Sequence, residues 1–246
     1  MRWSGGSIGG DERTVRGAVP IEVMTEILVT AGPTREHLDD VRFLSNGSTG
    51  LMGYAIAAEA RGRGCRVTLV SGPTQLPCPD GVQRVDVVSA DEMLEAARRA
   101  FDGCDIAFFV AAVADHRPAH REPGKPAKQD GRLVLDLVAN PDIAATLGAR
   151  KGRRICVGFA LEAMASDRTA ALDRARAKLR RKHLDLCVLN APAALARERS
   201  EITLIDAAGR VETLPEADKT ATAAVIVERA LALAAGRRPQ TGVGSE

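Results

Sequence analysis

The chain has 246 residues, 45% of them hydrophobic and 27% charged, with a formal net charge of +2. That length supports a sizeable core in one large domain or two small ones. Aromatics at 3%, with one Trp and one Tyr, exclude a base-stacking platform for single strands, and the small net charge excludes a strongly basic DNA-binding protein.

No apolar run approaches the roughly 20 residues that span a bilayer, and the first residues lack the apolar core of a signal peptide. Five cysteines, an odd number without a CxxC pair, read as reduced thiols of a cytoplasmic protein. Cys156 and Cys187 stand in apolar runs that suit buried strands. Neither a nucleic acid nor a membrane is expected as a partner.

Residues 1–24 are rich in Gly, Arg and Ser and read as a disordered extension. From residue 25 a regular alternation begins. "EILVTAG" is a buried strand ending in glycine, and residues 53–63 have small and apolar residues at helical spacing. "RVTLVSGP" and "VQRVDVV" are strands, and residues 91–101 form a helix after Ser89, a good N-cap. "CDIAFFVAAVAD" reads as one long strand. Residues 116–132 then break the pattern with three prolines and no periodicity, as a functional or disordered connection does.

"LVLDLVA" resumes as a strand, and "NPDIAATLGAR" opens a helix with Asn140 as N-cap and Pro141 at its first position. "RICVGFALE" is a strand, residues 167–182 a helix ending in a basic run, and "LDLCVLN" a strand. "EITLIDAAGRVETL" is a hairpin, residues 219–235 an amphipathic helix, and 236–246 a flexible tail. This rhythm predicts a mostly parallel α/β sheet with helices on both faces, a Rossmann-like three-layer sandwich with a C-terminal hairpin.

In such sheets ligands bind beyond the carboxyl ends of the strands. The glycine-rich turn in "VRFLSNGSTGLMG" leads straight into a helix, whose N-terminus suits an anion, and its glycines admit a phosphate closely. The four histidines form no metal-ligand cluster, no Ser-His-Asp arrangement is apparent, and the metal ligands are unassigned.

These stretches together carry a specific resemblance. "TAGPTRE", "VRFLSNGSTGLMG", "AAVADHRP", "KPAK", "NPDI", "GFALE", "KLRRKHLDL" with "LN", and the late Lys219 resemble phosphopantothenoylcysteine synthetase in order and spacing, from about residue 26 to 235. The resemblance implies a ligase that joins 4′-phosphopantothenate to cysteine through an acyl-nucleotide. It uses Mg²⁺ with CTP, or ATP, as co-substrate. It implies a homodimer whose site involves the subunit interface, and a separate decarboxylase as a possible partner. The flavin-dependent decarboxylase often fused in front is absent here, so no flavin is expected.

Carried over residue by residue, the resemblance gives Asn46 to the acyl-nucleotide and puts Arg42 close by. Lys125 stands for the lysine of a strap that closes over the site and meets developing phosphate charge. Gly32, Ser48, Gly50 and Gly53 line the phosphates, and Ala111, Ala112 and Asp115 pack against substrate and nucleotide. Asn140, Pro141, Asp142 and Ile143 contact the nucleotide, Phe159 its base, and Lys178 and Lys182 bind it from one helix face.

Three departures stand out. The strap reads Lys125-Pro126-Ala127-Lys128 where the family has Lys-x-Lys-Lys. Gly47 and Leu51 stand where arginine and lysine are frequent, and Ala163 where threonine is common. The alternatives are a non-catalytic nucleotide-binding homologue and a nicotinamide-dependent oxidoreductase. The latter lacks its glycine fingerprint and an acidic residue after "RVTLVSGP".

Overall fold

The structure is a computed structural model and describes residues 24–127, 131–162, 167–191 and 199–237. The proposed extension and tail lie almost wholly outside these residues. In chain order the elements are β1 (Glu26–Ala31), β2 (Arg35–His37), β3 (Phe43–Ser45), α1 (Leu51–Gly62), β4 (Arg66–Ser71), β5 (Gln83–Asp86), α2 (Ala90–Phe101), β6 (Ile106–Phe109), β7 (His116–Pro118), β8 (Leu137–Ala139), α3 (Ile143–Gly148), β9 (Ile155–Leu161), α4 (Arg168–Arg181), β10 (Leu186–Asn190), β11 (Arg199–Asp206), β12 (Val211–Asp218) and α5 (Lys219–Arg237).

Eight strands form one sheet in the order β12-β11-β10-β9-β6-β1-β4-β5. The six from β10 to β5 are mutually parallel, and the C-terminal hairpin adds β11 and β12 antiparallel at the β10 edge. The Rossmann-like α/β expectation holds. The chain leaves β1 toward β4 but enters β6 on the other side of β1. A topological switch point therefore lies between β1 and β6.

Side chains alternate across the sheet. Ile27, Val29 and Ala31 pack with α1 and α5, while Leu28 packs with α2, α3 and α4 on the other face. Burial on both faces explains why the strands read as continuous apolar runs. It also holds the thiols of Cys104 and Cys156 up at about 12 and that of Cys187 at about 11.

At the bottom of the sheet the buried Asp185 accepts from Lys151 Nζ at 2.7 Å, from the Cys156 N–H at 2.8 Å and from the Arg237 guanidinium at 2.5 Å. One carboxylate thus joins the end of α5 to the loops below β9 and β10.

Three expectations need correction. The long strand ends at Phe109; residues 110–114 run on beyond the sheet, bonded to the continuation of β1 through Val110 N–H to Thr30 O and Ala112 N–H to Gly32 O. Pro33 has no N–H to extend a ladder there. Of "LVLDLVA" only Leu137–Ala139 is a strand, and it pairs with His116–Pro118 in a ribbon outside the main sheet.

The α3 cap is Asp142, not Asn140. Asp142 Oδ1 accepts from the Ala145 N–H at 3.0 Å, whereas the Asn140 amide is engaged by Ala114 O and Arg117, which leaves Pro141 before the helix. The β2–β3 hairpin, unforeseen, delivers the chain to the glycine-rich turn.

Candidate active site

Thr30 sits next to the end of β1, and its Oγ1 accepts the Ala111 N–H at 3.4 Å. This contact lies at the switch point, where a cavity of about 430 Å³ opens above the strand ends. That volume suits a small-molecule ligand.

One wall is the glycine-rich turn. Gly50 is the N-cap of α1 at φ +84°, a left-handed backbone that glycine adopts without strain, and it offers no side chain to the first turn. Gly53 lets the helix lie against β1, since a Cβ there would stand 2.5 Å from that of Ala31. Gly47, Ser48, Gly50 and Gly53 all line the cavity. Ser48 Oγ accepts the Gly50 N–H at 3.3 Å. Asn46 donates its amide to Ala112 O at 2.9 Å, which fixes the side chain against the opposite wall.

The second wall is the segment beyond β6. Ala111, Ala112 and Asp115 line it. Asp115 is exposed and makes no ion pair with a described residue. Asn140 holds this wall to the third one by donating to Ala114 O at 2.8 Å.

The third wall comes from the other helical layer: Asn140, Pro141, Asp142, Ile143, Lys178 and Lys182. Lys182 Nζ is 2.9 Å from the Asp142 carboxylate, with Arg181 at 3.9 Å. Burial works to raise the Asp142 pKa. The Lys182 hydrogen bond, the Ala145 N–H and the two cations outweigh it and hold the carboxyl below its usual range. Phe159 of β9 lies on the floor.

Three predicted residues stand apart from the lining. Gly32 is buried behind it, its carbonyl receiving Ala112 N–H. Arg42 is engaged by the buried Asp39, Nε to Oδ2 at 2.6 Å. The Arg42 N–H, the larger influence, then the Val41 N–H and the Arg42 side chain pull the Asp39 carboxyl down to about 2 against its desolvation. Lys125 is exposed on the loop after β7. The root of that loop is clamped by Asp40, which accepts from Arg121 at 2.8 Å and from the Gly124 N–H at 2.9 Å. Lys128 and Ala163 lie outside the described residues.

Thr30, Asn190 and Lys219 also line the cavity, and residue roles drawn from sequence did not include them. "LN" and Lys219 were conspicuous in the motif set, and Thr30 was a polar residue near the end of an apolar strand. Among the described residues no group of three or more His, Cys, Asp or Glu is placed to hold a metal, and no helix is long and apolar enough to cross a membrane.

Residues 23–233 match the profile of the family described as DNA/pantothenate metabolism flavoprotein C-terminal domain. The chain belongs to that family. It is 48% identical over 168 residues to the coenzyme A biosynthesis bifunctional protein CoaBC of Escherichia coli K12, covering 67% of this chain and 40% of that one. It is 40% identical over 213 residues to a protein named cysteine/cysteine sulfinic acid decarboxylase from an unknown prokaryotic organism, covering 84% and 58%. The chain thus spans about half the length of these relatives, and the decarboxylase name belongs to that longer protein.

Among solved structures, the C-terminal domain of a CoaBC protein superposes with a TM-score of 0.71 at 38% identity, covering 83% of this chain and 93% of that domain. The chain is homologous to this domain. A DNA/pantothenate metabolism flavoprotein from Streptococcus pneumoniae, 21% identical with a TM-score of 0.75 over 85% of this chain and 99% of the other, shares the fold.

Proposed function

We propose that the chain is a phosphopantothenate–cysteine ligase of coenzyme A biosynthesis, working through an acyl-nucleotide. The observation that carries this reading is the meeting of the α1 turn with Asn46, the Ala111–Ala112 wall, and Lys178 and Lys182 in one cavity. The homology to the CoaBC C-terminal domain supports it.

In this reaction the 4′-phosphopantothenate carboxylate attacks the α-phosphorus of CTP, or ATP, and pyrophosphate leaves. The cysteine amine then attacks the acyl carbon, and the nucleoside monophosphate leaves. Displacement at phosphorus asks for positioning and charge neutralisation more than for a proton relay. The uncapped N–H groups of α1 and the two lysines suit the phosphates. Asn46 gives one amide N–H to Ala112 O and keeps the other for an oxygen of the reacting acyl group.

A Mg²⁺ ion accompanying the nucleotide would take one or two carboxylates from the protein. Asp115, on the cavity wall without an ion-pair partner among the described residues, fits that donor set. When bound, the ion supplies charge neutralisation. We assign Lys125 to the closing strap and Arg42 to the rim behind Asn46. Exposed apolar side chains at Val41, Phe43, Val134 and Val138, on or beside the two small ribbons, support the homodimer.

The decisive experiment is pyrophosphate release with Mg²⁺ and 4′-phosphopantothenate, comparing CTP with ATP, with and without cysteine. Release that needs phosphopantothenate, with product once cysteine is added, is the expected result. No release with either nucleotide from a folded dimer overturns the reading. Sedimentation at micromolar concentration showing only monomer removes the dimer.

A further inference from the structure

Lys125 is exposed and stands outside the cavity lining, but the chain just before it is held. Glu122 N–H donates to Leu38 O at 2.8 Å, Asp40 N–H donates to Gly124 O at 3.1 Å, and Gly124 N–H donates back to Asp40 Oδ2 at 2.9 Å. Arg121 donates to Asp40 Oδ1 at 2.8 Å. Asp40 thus makes three of these four bonds, and two of them end on the residue before Lys125.

The turn that carries Asp40 is itself braced. The buried Asp39 accepts the N–H groups of Val41 and Arg42 on Oδ1, at 2.8 and 2.7 Å, and Leu38 N–H donates to Arg42 O at 2.9 Å. The same turn passes the chain into β3 and so to Asn46. Two neighbouring aspartates divide the work. Asp39 builds the turn from inside, and Asp40 reaches from it to the loop. The Arg121 hydrogen bond, then the Gly124 N–H, hold the Asp40 carboxyl below its usual range, so it stays an acceptor.

Stability does not account for Asp40. Its side chain is 55% exposed and that of Arg121 58%, and an ion pair that open adds little to a fold. Gly124 holds φ +69°, and a Cβ there would meet no atom of the described residues within 4 Å. The bonds therefore fix the chain up to Gly124 and leave Lys125 as the first residue beyond them. A lysine that meets charge in a transition state gains from a fixed origin, since a misplacement of about 1 Å can cost about 10²-fold.

We propose that Asp40 is a positioning residue for Lys125, setting through Gly124 the point from which that ammonium reaches the nucleotide phosphates. This rests on the ligase reading and deepens it. Asp40 touches no substrate and acts only through Lys125. The α1 turn, Lys178 and Lys182 hold the nucleotide in its ground state, so the loss of Asp40 falls on kcat rather than on KM.

Phosphopantothenate-dependent exchange of labelled pyrophosphate into CTP or ATP reads the step concerned. Lys125→Ala should lower its kcat about 100-fold and Asp40→Ala about tenfold, each with the nucleotide KM within about twofold of wild type. Asp40→Asn keeps an acceptor for the Gly124 N–H and should recover most of the rate. Arg121→Ala leaves both Gly124 bonds and should lose no more than about threefold. In the Lys125→Ala background, Asp40→Ala should cost less than about twofold more. Thermal melts of Asp40→Ala and wild type should coincide.

Losses that multiply in the double variant would show that Asp40 acts without Lys125, and they overturn the proposal. An Asp40→Ala protein that exchanges at the wild-type rate, or that is slow and also melts early, does the same. Full exchange in Lys125→Ala removes Lys125 from the reaction and this role of Asp40 with it. No exchange in the wild-type protein with either nucleotide removes the ligase reading itself.

Discussion

Lys182 and Asp142 are joined at 2.9 Å, so one ion pair ties the end of α4 to the cap of α3 on the cavity wall. Lys178, one turn earlier, makes no ion pair with a described carboxylate. The two lysines should separate by experiment. Lys178→Ala should raise the nucleotide KM about tenfold with an unchanged urea midpoint. Lys182→Ala should raise the KM and also cost about 1 kcal/mol, since a partly buried pair and a cap lose support. Equal midpoints for the two variants would refute the structural part of this division.

The Asp39 carboxyl, held at about 2 rather than 3.8, makes the turn before the site acid-sensitive. A depressed folded pKa stabilises above the unfolded value and is lost as pH falls through the folded one. The stability gap between wild type and Asp39→Asn should therefore be full above about pH 4 and shrink toward pH 2. Denaturant midpoints at several pH values measure it, and a gap that does not change across that window counts against the assignment.

Gly53→Ala places a methyl 2.5 Å from the Ala31 Cβ, so α1 must move off β1. Overpacking of this kind costs about 1–3 kcal/mol. Because α1 carries the phosphate turn, nucleotide affinity should fall with the urea midpoint. Unchanged affinity in a destabilised protein would show that the turn does not depend on the seat of the helix.

Gly47 and Leu51 are exposed at the cavity, and a side chain at Gly47 meets no atom within 4 Å. Gly47→Arg with Leu51→Lys should lower the nucleotide KM several-fold at low salt, and the gain should shrink as salt rises. Kinetics at two ionic strengths decide it; no gain at the lower one argues that the phosphates lie elsewhere.

Asp185→Ala leaves the buried Cys156 N–H without its acceptor and releases the partly exposed Lys151 and Arg237, and should cost about 1–3 kcal/mol. The pair lies at the opposite end of the strands from the cavity, so KM values below the melting transition should hold. A stable Asp185→Ala protein would mean that the hub is not structural.

The sheet was legible because its strands are buried on both faces and its helices carry clear starts, such as Ser89 accepting the Glu92 N–H. Residues 110–115 misled because an apolar run reads as strand whether or not a neighbour continues the ladder. Asn140 and Asp142 are both good caps, and only tertiary bonds from Arg117 and to Ala114 decide between them. The ion pair of Arg42 with Asp39 was not read from the sequence, which placed Arg42 beside the site. Nor was the hold of Asp40 on the loop, because its partners Arg121 and Gly124 lie 81 and 84 residues away.

The C-terminal hairpin has a consequence in time. Synthesis proceeds from the N-terminus, and by Asn190 all six parallel strands and most of the cavity wall have been made. Lys219 arrives 29 residues later, with the hairpin that covers the β10 edge. A nascent chain halted between these points would carry an unpaired strand edge beside a cavity with one side open. The last residue of the cavity wall thus arrives with the hairpin that closes that edge.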